Sequence, residues 1–185
     1  MRRFFACFMA GLITSTANAT SSPVDLATAR ASMAGKWTGQ LEYLDYTADK
    51  WFGIPVMTTI EDQGDGATII RRSDFDDGPK VGMVRITTIE LFDPASATVV
   101  SGTFRKGRSA ELTTYTAGIY GTSKDATHWT MIEQTKSKDD NRPAMVRLTT
   151  VRNGDSVQTL KEIDFLDDTK SEWMKRNRVT LVRAN

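Results

Sequence analysis

Short stretches of alternating apolar and polar residues cover most of the chain from Lys36 onward. They are rich in threonine, valine, isoleucine and aromatic residues, and clusters of glycine, aspartate, asparagine and proline separate them. A two-residue period places successive side chains on opposite faces, as in a β-strand with one buried face. The pattern predicts strands at residues 36–45, 51–61, 67–73, 81–92, 98–105, 110–120, 128–135, 144–152, 156–165 and 178–183.

The segments between these strands are short and typical of hairpin turns. The clearest is Asn153-Gly154, because both residues accept the left-handed backbone that tight hairpins require. Short connections make consecutive strands antiparallel neighbours, and a meander of this kind removes its exposed edges by closing. The sequence therefore predicts an all-β protein, an antiparallel up-and-down barrel of roughly ten strands. A β-sandwich is the alternative that the same strand spacing allows.

The residues before the first strand follow a different pattern. Met1-Arg2-Arg3 is basic, residues 4–13 form an uncharged apolar run, and Ala17-Asn18-Ala19 matches a signal-peptidase site. The apolar run is about half of the roughly 20 residues that a membrane span requires. We therefore predict a signal peptide at 1–19 and a single β-barrel domain at 20–185. The protein would be periplasmic or secreted, with no membrane insertion after the signal is removed.

A short helix is predicted at the start of the mature chain. Residues 23–33 are rich in alanine and carry apolar side chains at helical spacing, and Gly35 follows as a helix-ending residue.

Composition restricts the chemistry that the mature chain can perform. Its one cysteine, Cys7, lies in the predicted signal peptide, so the mature chain has no disulfide and no thiol nucleophile. The 24 basic and 23 acidic residues nearly balance, and this gives no electrostatic argument for nucleic-acid binding. With His128 as the one histidine and no mature cysteine, we expect no metal site.

Gly35-Lys36-Trp37 opens the first predicted strand directly after the predicted helix. This segment resembles the G-x-W signature of lipocalins and related calycin barrels, and the mature chain is similar in layout to small secreted bacterial barrels of this kind. The resemblance implies a calycin-like barrel in which Trp37 closes one end. It also implies that an arginine of the last strand lies across the indole ring, a favourable cation–π contact. Arg178 and Arg183 are the two candidates.

Alternation also places charged side chains on predicted inward faces. Glu133 shares a face with Trp129, and Glu111 shares a face with Tyr115; Arg85 and Lys161 occupy corresponding positions on two other strands. Unpaired charges are unfavourable in a dry core, so these residues imply either a water-accessible cavity or a register shift at a β-bulge. In a cavity, we expect the ligand to contact Tyr43, Arg85, Glu111, Tyr115, Trp129, Glu133 and Lys161.

The leading functional hypothesis is an exported, non-catalytic protein that holds a small amphipathic or hydrophobic ligand inside the barrel. One alternative is a structural or interaction protein with a solid core. Another is a cofactor-free enzyme of the isomerase or cyclase type, in which Glu133 and Tyr115 would perform acid–base chemistry. No cofactor is expected in the leading hypothesis; haem bound through His128 is the alternative.

Overall fold

The computed structural model of the protein describes residues 24–184. Ten antiparallel strands close into a barrel, in which each strand pairs with its neighbours in sequence and the first pairs with the last. The helix α1 spans Leu26–Ala31. The strands are β1 (Gly35–Asp45), β2 (Lys50–Asp62), β3 (Thr68–Asp76), β4 (Met83–Asp93), β5 (Thr98–Arg105), β6 (Glu111–Asp125), β7 (His128–Asp139), β8 (Arg142–Asn153), β9 (Ser156–Phe165) and β10 (Met174–Arg183).

The up-and-down barrel with a short N-terminal helix that the sequence predicts is therefore confirmed, and the β-sandwich alternative is wrong. Within the described residues, no helix is both long enough and apolar enough to cross a membrane. The predicted signal peptide, residues 1–19, lies outside the described part of the chain.

The hairpin predicted at Asn153-Gly154 is present, with its turn one residue further along the chain. Asn153 pairs with Ser156, so Gly154 and Asp155 form the two-residue loop. Gly154 has a φ of 62°, whereas Asp155 is not left-handed. A left-handed glycine at the first central position is one of the two favoured geometries for such loops.

The larger apolar cluster lies at the barrel end that α1 covers. It includes Trp37, Ile60, Trp129, Val157 and Leu181, all nearly inaccessible to solvent. A smaller cluster, Ala144, Val146 and Ile163, is formed by β8 and β9 toward the opposite end. The strand residues of both clusters occupy inward-facing positions, as the two-residue period requires, and Ala29 and Met33 of the larger cluster come from α1 and the turn after it.

Trp37 lies at the centre of the closed end. It is 1% exposed, and its indole Nε1 donates a hydrogen bond to the carbonyl oxygen of Met33 at 2.8 Å. The guanidinium carbon of Arg183 lies 4.3 Å from the ring centroid, and that of Arg152 lies 5.6 Å away. Of the two predicted candidates, Arg183 is therefore the arginine on Trp37.

Arg178, the other candidate, lies away from Trp37. Its guanidinium donates to both carboxylate oxygens of Glu42 and lies 4.4 Å from the ring centroid of Trp51. Glu42 occupies the opposite face of β1 from Trp37, so this contact covers the outside of the barrel.

Three side chains hold the C-terminal end of α1 against the barrel. Arg183 donates to the carbonyl oxygen of Ala34 at 2.9 Å, and Arg152 donates to the carbonyl oxygen and to Oγ of Ser32. Trp37 binds the carbonyl of Met33, as described above. These carbonyls belong to the C-cap residue of α1 and the two residues after it, so the contacts supply hydrogen-bond partners directly after the helix ends.

Candidate functional site

The barrel encloses a cavity of about 260 Å³. Its walls come from α1, from β2 to β4 and from β7 to β10, and most of them are apolar. The apolar lining residues are Met33, Val56, Ile69, Phe75, Ile86, Trp129, Met131, Leu148, Val179 and Leu181. Small hydroxyl side chains and four charged side chains complete the lining. An apolar enclosure with a few polar groups is the usual composition of a small-molecule site, although the volume lies just below the common range.

Arg30 connects α1 to the polar part of the cavity. Its Nη2 lies 2.8 Å from Oε2 of Glu90 on β4, and its Nη1 lies 3.4 Å from Oε1 of Glu133 on β7. The three side chains are 5%, 17% and 13% exposed, respectively. Buried charges are tolerated when they are paired, and here two carboxylates share one guanidinium.

The pKa of Glu133 is raised to about 7, mainly by burial and further by the negative charge of Glu90. The positive charges of Arg30 and Arg71 act in the opposite direction. Burial also raises the pKa of Tyr115 above its ordinary value, with a further contribution from the charge of Glu133. Glu133 therefore changes its charge near neutral pH, unlike an ordinary glutamate.

Arg71 on β3 is the fourth charged residue of the lining. Within residues 24–184 its guanidinium forms no ion pair and no side-chain hydrogen bond, although its positive charge acts to lower the pKa of Glu133. Arg72, the next residue, points to the outside and is paired with Glu61. The cavity therefore contains one arginine that is paired with two carboxylates, although its buried Nε has no hydrogen-bond partner in the described chain, and one that forms no ion pair there.

Two of the seven predicted ligand contacts, Trp129 and Glu133, line the cavity. Tyr115 is partly buried on the inward face of β6, where it is close enough to Glu133 for their charges to interact. Tyr43 is 37% exposed, and its ring stacks on Phe52 with the centroids 5.5 Å apart. Neither tyrosine is part of the cavity lining.

The prediction that Arg85 faces the interior is wrong. Its side chain is 65% exposed and donates two hydrogen bonds of 2.7 Å to Asp74 on the neighbouring strand. Both alternating sets of β4 contain apolar residues, and the structure turns Ile86 inward and leaves Ile89 42% exposed. Because both faces of β4 carry apolar residues, alternation alone could not identify the inner face and placed Arg85 on the wrong side.

Glu111 and Lys161 also lie outside the cavity, contrary to prediction. Glu111 is exposed at the first position of β6. Lys161 is 32% exposed, and its Nζ lies 3.7 Å from Asp139 at the end of β7. Asp139 is also paired with Arg176, so Lys161 belongs to a charge cluster distant from α1.

Three of the four charged cavity residues were missed in the sequence: Arg30, Arg71 and Glu90. The signal for Arg30 was its position four residues after Leu26, on the apolar face of the predicted helix. The signal for the other two was the pairing of Asp74 with Arg85 across β3 and β4. Opposite charges favour directly paired positions on neighbouring strands. With Asp74 and Arg85 paired on the outer face, the two-residue alternation puts Arg71 and Glu90 on the inner face.

His128 does not fit the alternative of a haem held inside the barrel. It precedes the inward-facing Trp129 on β7, so its own side chain points outward and is 40% exposed. Its Nδ1 lies 3.0 Å from Asp125, and the residue is not part of the cavity lining. Among residues 24–184, no group of three or more histidine, cysteine, aspartate or glutamate side chains is placed to hold a metal ion.

No family model and no curated protein matches the sequence. Among solved structures, the crystal structure of Rv2717c from M. tuberculosis is similar, with a TM-score of 0.57 and 12% sequence identity. The match covers 86% of this chain and 98% of that chain. At this identity the similarity shows a common barrel fold and nothing about function.

Proposed function

We propose that the protein is an exported, non-catalytic binding protein that holds a small amphipathic or hydrophobic molecule in its barrel. The cavity is the observation that carries this proposal. It combines an apolar wall, including Trp129 and Leu181, with charged groups at Arg30, Arg71 and Glu133. Such a lining offers one environment to a hydrocarbon and another to a polar head group. A structural protein with a solid core would be expected to fill this interior with apolar side chains.

Export and a calycin-like relationship belong to the same proposal. The basic start, the apolar run and the site at Ala19 support cleavage before Thr20. The intact mass of the exported protein tests this, and a soluble exported form that retains residues 1–19 would contradict it. The relationship to calycins is supported by Gly35-x-Trp37 and by the position of Arg183 on the indole ring.

The binding proposal is tested with eight-carbon amphiphiles, which suit the small cavity. We expect 1-octanol or octanoate to bind the mature protein saturably with one-to-one stoichiometry in calorimetry. Each ligand that binds should also raise the melting temperature, because binding to the folded state alone adds about 2.7 kcal/mol at 100 times the dissociation constant. If neither amphiphile binds saturably, the binding proposal is wrong and the interaction-protein alternative replaces it.

A matched pair of variants locates the binding inside the barrel. Thr88 lines the cavity, whereas Thr87, one position earlier on β4, faces the outer surface. Thr88→Phe should fill the cavity and abolish amphiphile binding. Thr87→Phe adds the same ring outside and should leave binding unchanged. Equal effects of the two substitutions would place the ligand outside the cavity.

A cofactor-free enzyme is the second candidate, and the titration of Glu133 near neutral pH favours it. A general acid or base works best when its pKa lies close to the working pH, and Tyr115 is close enough to interact with this carboxyl. Glu133→Gln should then abolish turnover of a bound substrate while leaving its binding nearly intact. Incubation of each bound compound with the protein, followed by mass spectrometry of the products, separates an enzyme from a binding protein.

A further inference from the structure

The charges around the cavity are unequally partnered. Arg30 is paired with both glutamates, so each carboxylate has an ion-pair partner, which α1 supplies. Arg71 has no such partner within residues 24–184. Arg72, the next residue on β3, and Arg85 on β4 are each paired with a carboxylate on the outer surface. Of these three arginines on β3 and β4, the one without an ion pair in the described chain is therefore Arg71, which faces the cavity.

A guanidinium in this position is suited to an anionic ligand. It presents a positively charged, planar fork of N–H donors that matches a carboxylate. Its surroundings in the cavity include Ser73 and Thr88, which are small and uncharged, and the apolar Phe75 and Ile86. Partly buried polar groups are normally satisfied by protein, water or ligand, and the described residues supply no side-chain partner here.

We propose that Arg71 binds the anionic head group of the amphiphile, and that Glu133 takes up a proton when this ligand binds. The inference rests on the proposed binding function and adds the chemical class of the ligand, a monoanion of the carboxylate type with an apolar tail.

The proton uptake follows from the charges that face Glu133. Arg30 on α1, Arg71 on β3 and Glu90 on β4 surround it, and Tyr115 on β6 is uncharged at neutral pH. With both glutamates ionised, the four charged lining residues sum to zero, and an anionic ligand would leave an uncompensated negative charge. A proton on Glu133 restores neutrality in the complex. The ligand's charge therefore raises the pKa of Glu133 further. By linkage, the affinity for the anion rises as the pH falls toward about 7 and levels off below that value, where Glu133 is protonated in the free protein as well.

The test compares octanoate with 1-octanol, which share a tail and differ in charge. Calorimetry on the mature protein should show tighter binding of octanoate. Arg71→Met should weaken octanoate about tenfold or more, as expected for a lost hydrogen-bonded ion pair, and should change octanol less than about twofold. Arg72→Met removes the same group one residue along the strand, on the outside, and should change neither ligand.

The proton is measured in the same experiments. Octanoate affinity should be higher at pH 6 than at pH 8, and its heat of binding should depend on the ionisation enthalpy of the buffer, with the sign of proton uptake. Octanol should show neither effect. Glu133→Gln fixes an uncharged side chain of the same shape, so it should remove the pH dependence of octanoate binding.

The outcomes separate this inference from the binding function itself. If octanoate and octanol bind the wild type equally, or if Arg71→Met leaves octanoate affinity unchanged, the anion site is wrong while the binding function stands. A wild-type protein that binds neither probe overturns both. If Arg71→Met does not fold, the affinities of octanoate and octanol for the wild type at two pH values still decide whether the anion site exists. Octanoate binding without proton uptake would overturn the assigned role of Glu133.

Discussion

Replacing Trp37 by alanine measures how much the closed end of the barrel contributes to stability. Trp37 is 1% exposed, and its removal leaves a cavity among Val56, Ile60 and Leu181. Truncating a buried tryptophan typically costs about 3–5 kcal/mol of the free energy of unfolding. The lost hydrogen bond to Met33 and the contact with Arg183 place our expectation in the upper half of that range, about 4–5 kcal/mol.

Trp51 provides a matched control on the outer surface. Its ring carries Arg178 at 4.4 Å, nearly the separation of 4.3 Å between Trp37 and Arg183. Trp51 is only partly buried, and no indole hydrogen bond of its own is present in the described chain. Trp51→Ala should therefore cost about 1 kcal/mol, the size of a partly exposed cation–π contact together with limited packing.

Urea unfolding followed by circular dichroism measures both variants without relying on tryptophan fluorescence. The free energies of unfolding are compared only if the slope of free energy against urea concentration is the same for each variant, because an equal slope shows that the unfolded states are equivalent. A loss below about 1 kcal/mol for Trp37→Ala would refute the assignment of Trp37 as the end-closing residue. Equal losses for the two variants would show that the arginine contact, and not burial, sets the energy.

Two further predictions concern the interior charges and the strand contacts. Arg30→Met leaves two carboxylates without their shared partner and should destabilise the fold by about 3–5 kcal/mol in urea unfolding at pH 8. The loss should be smaller at pH 5, where Glu133 is protonated in the folded protein. Equal losses at both pH values would contradict the assignment of Arg30 as the shared partner. Gly39→Ala places a Cβ 1.9 Å from the carbonyl oxygen of Thr180 on β10 and should cost about 1–3 kcal/mol. Gly53→Ala meets the flexible end of the Gln40 side chain, with Cγ of Glu42 at an ordinary contact distance, and should cost less in the same assay.

The fold could be predicted from sequence because its signals are local. The strands predicted at residues 98–105 and 156–165 agree with β5 and β9 residue for residue. Their boundaries are set by neighbouring glycine, proline and aspartate, which act within a few residues. Antiparallel pairing of consecutive strands then needs no further information, since short turns permit no other neighbour.

The cavity could not be predicted in the same way, because its charged residues come together only in the folded protein. Arg30 is 60 residues from Glu90 and 103 residues from Glu133 along the chain. β4 adds an ambiguity of its own. Apolar residues occupy both of its faces, and Leu91 is 53% exposed although it is as apolar as any core residue. A face assignment based on apolarity alone fails on such a strand, and cross-strand charge pairing is the signal that resolves it.

The closed end and the cavity depend on one another through α1. Trp37, Arg152 and Arg183 bind the carbonyls of residues 32–34 and so fix the position of the helix. Arg30 precedes those carbonyls by two to four residues, and its guanidinium pairs with both glutamates of the cavity. Loosening the contacts on Trp37 would therefore withdraw the charge that stabilises ionised Glu133. The pKa of Glu133 would rise, because Arg30 lowers it and burial raises it. The G-x-W segment thus sets the charge of the cavity as well as the stability of the barrel.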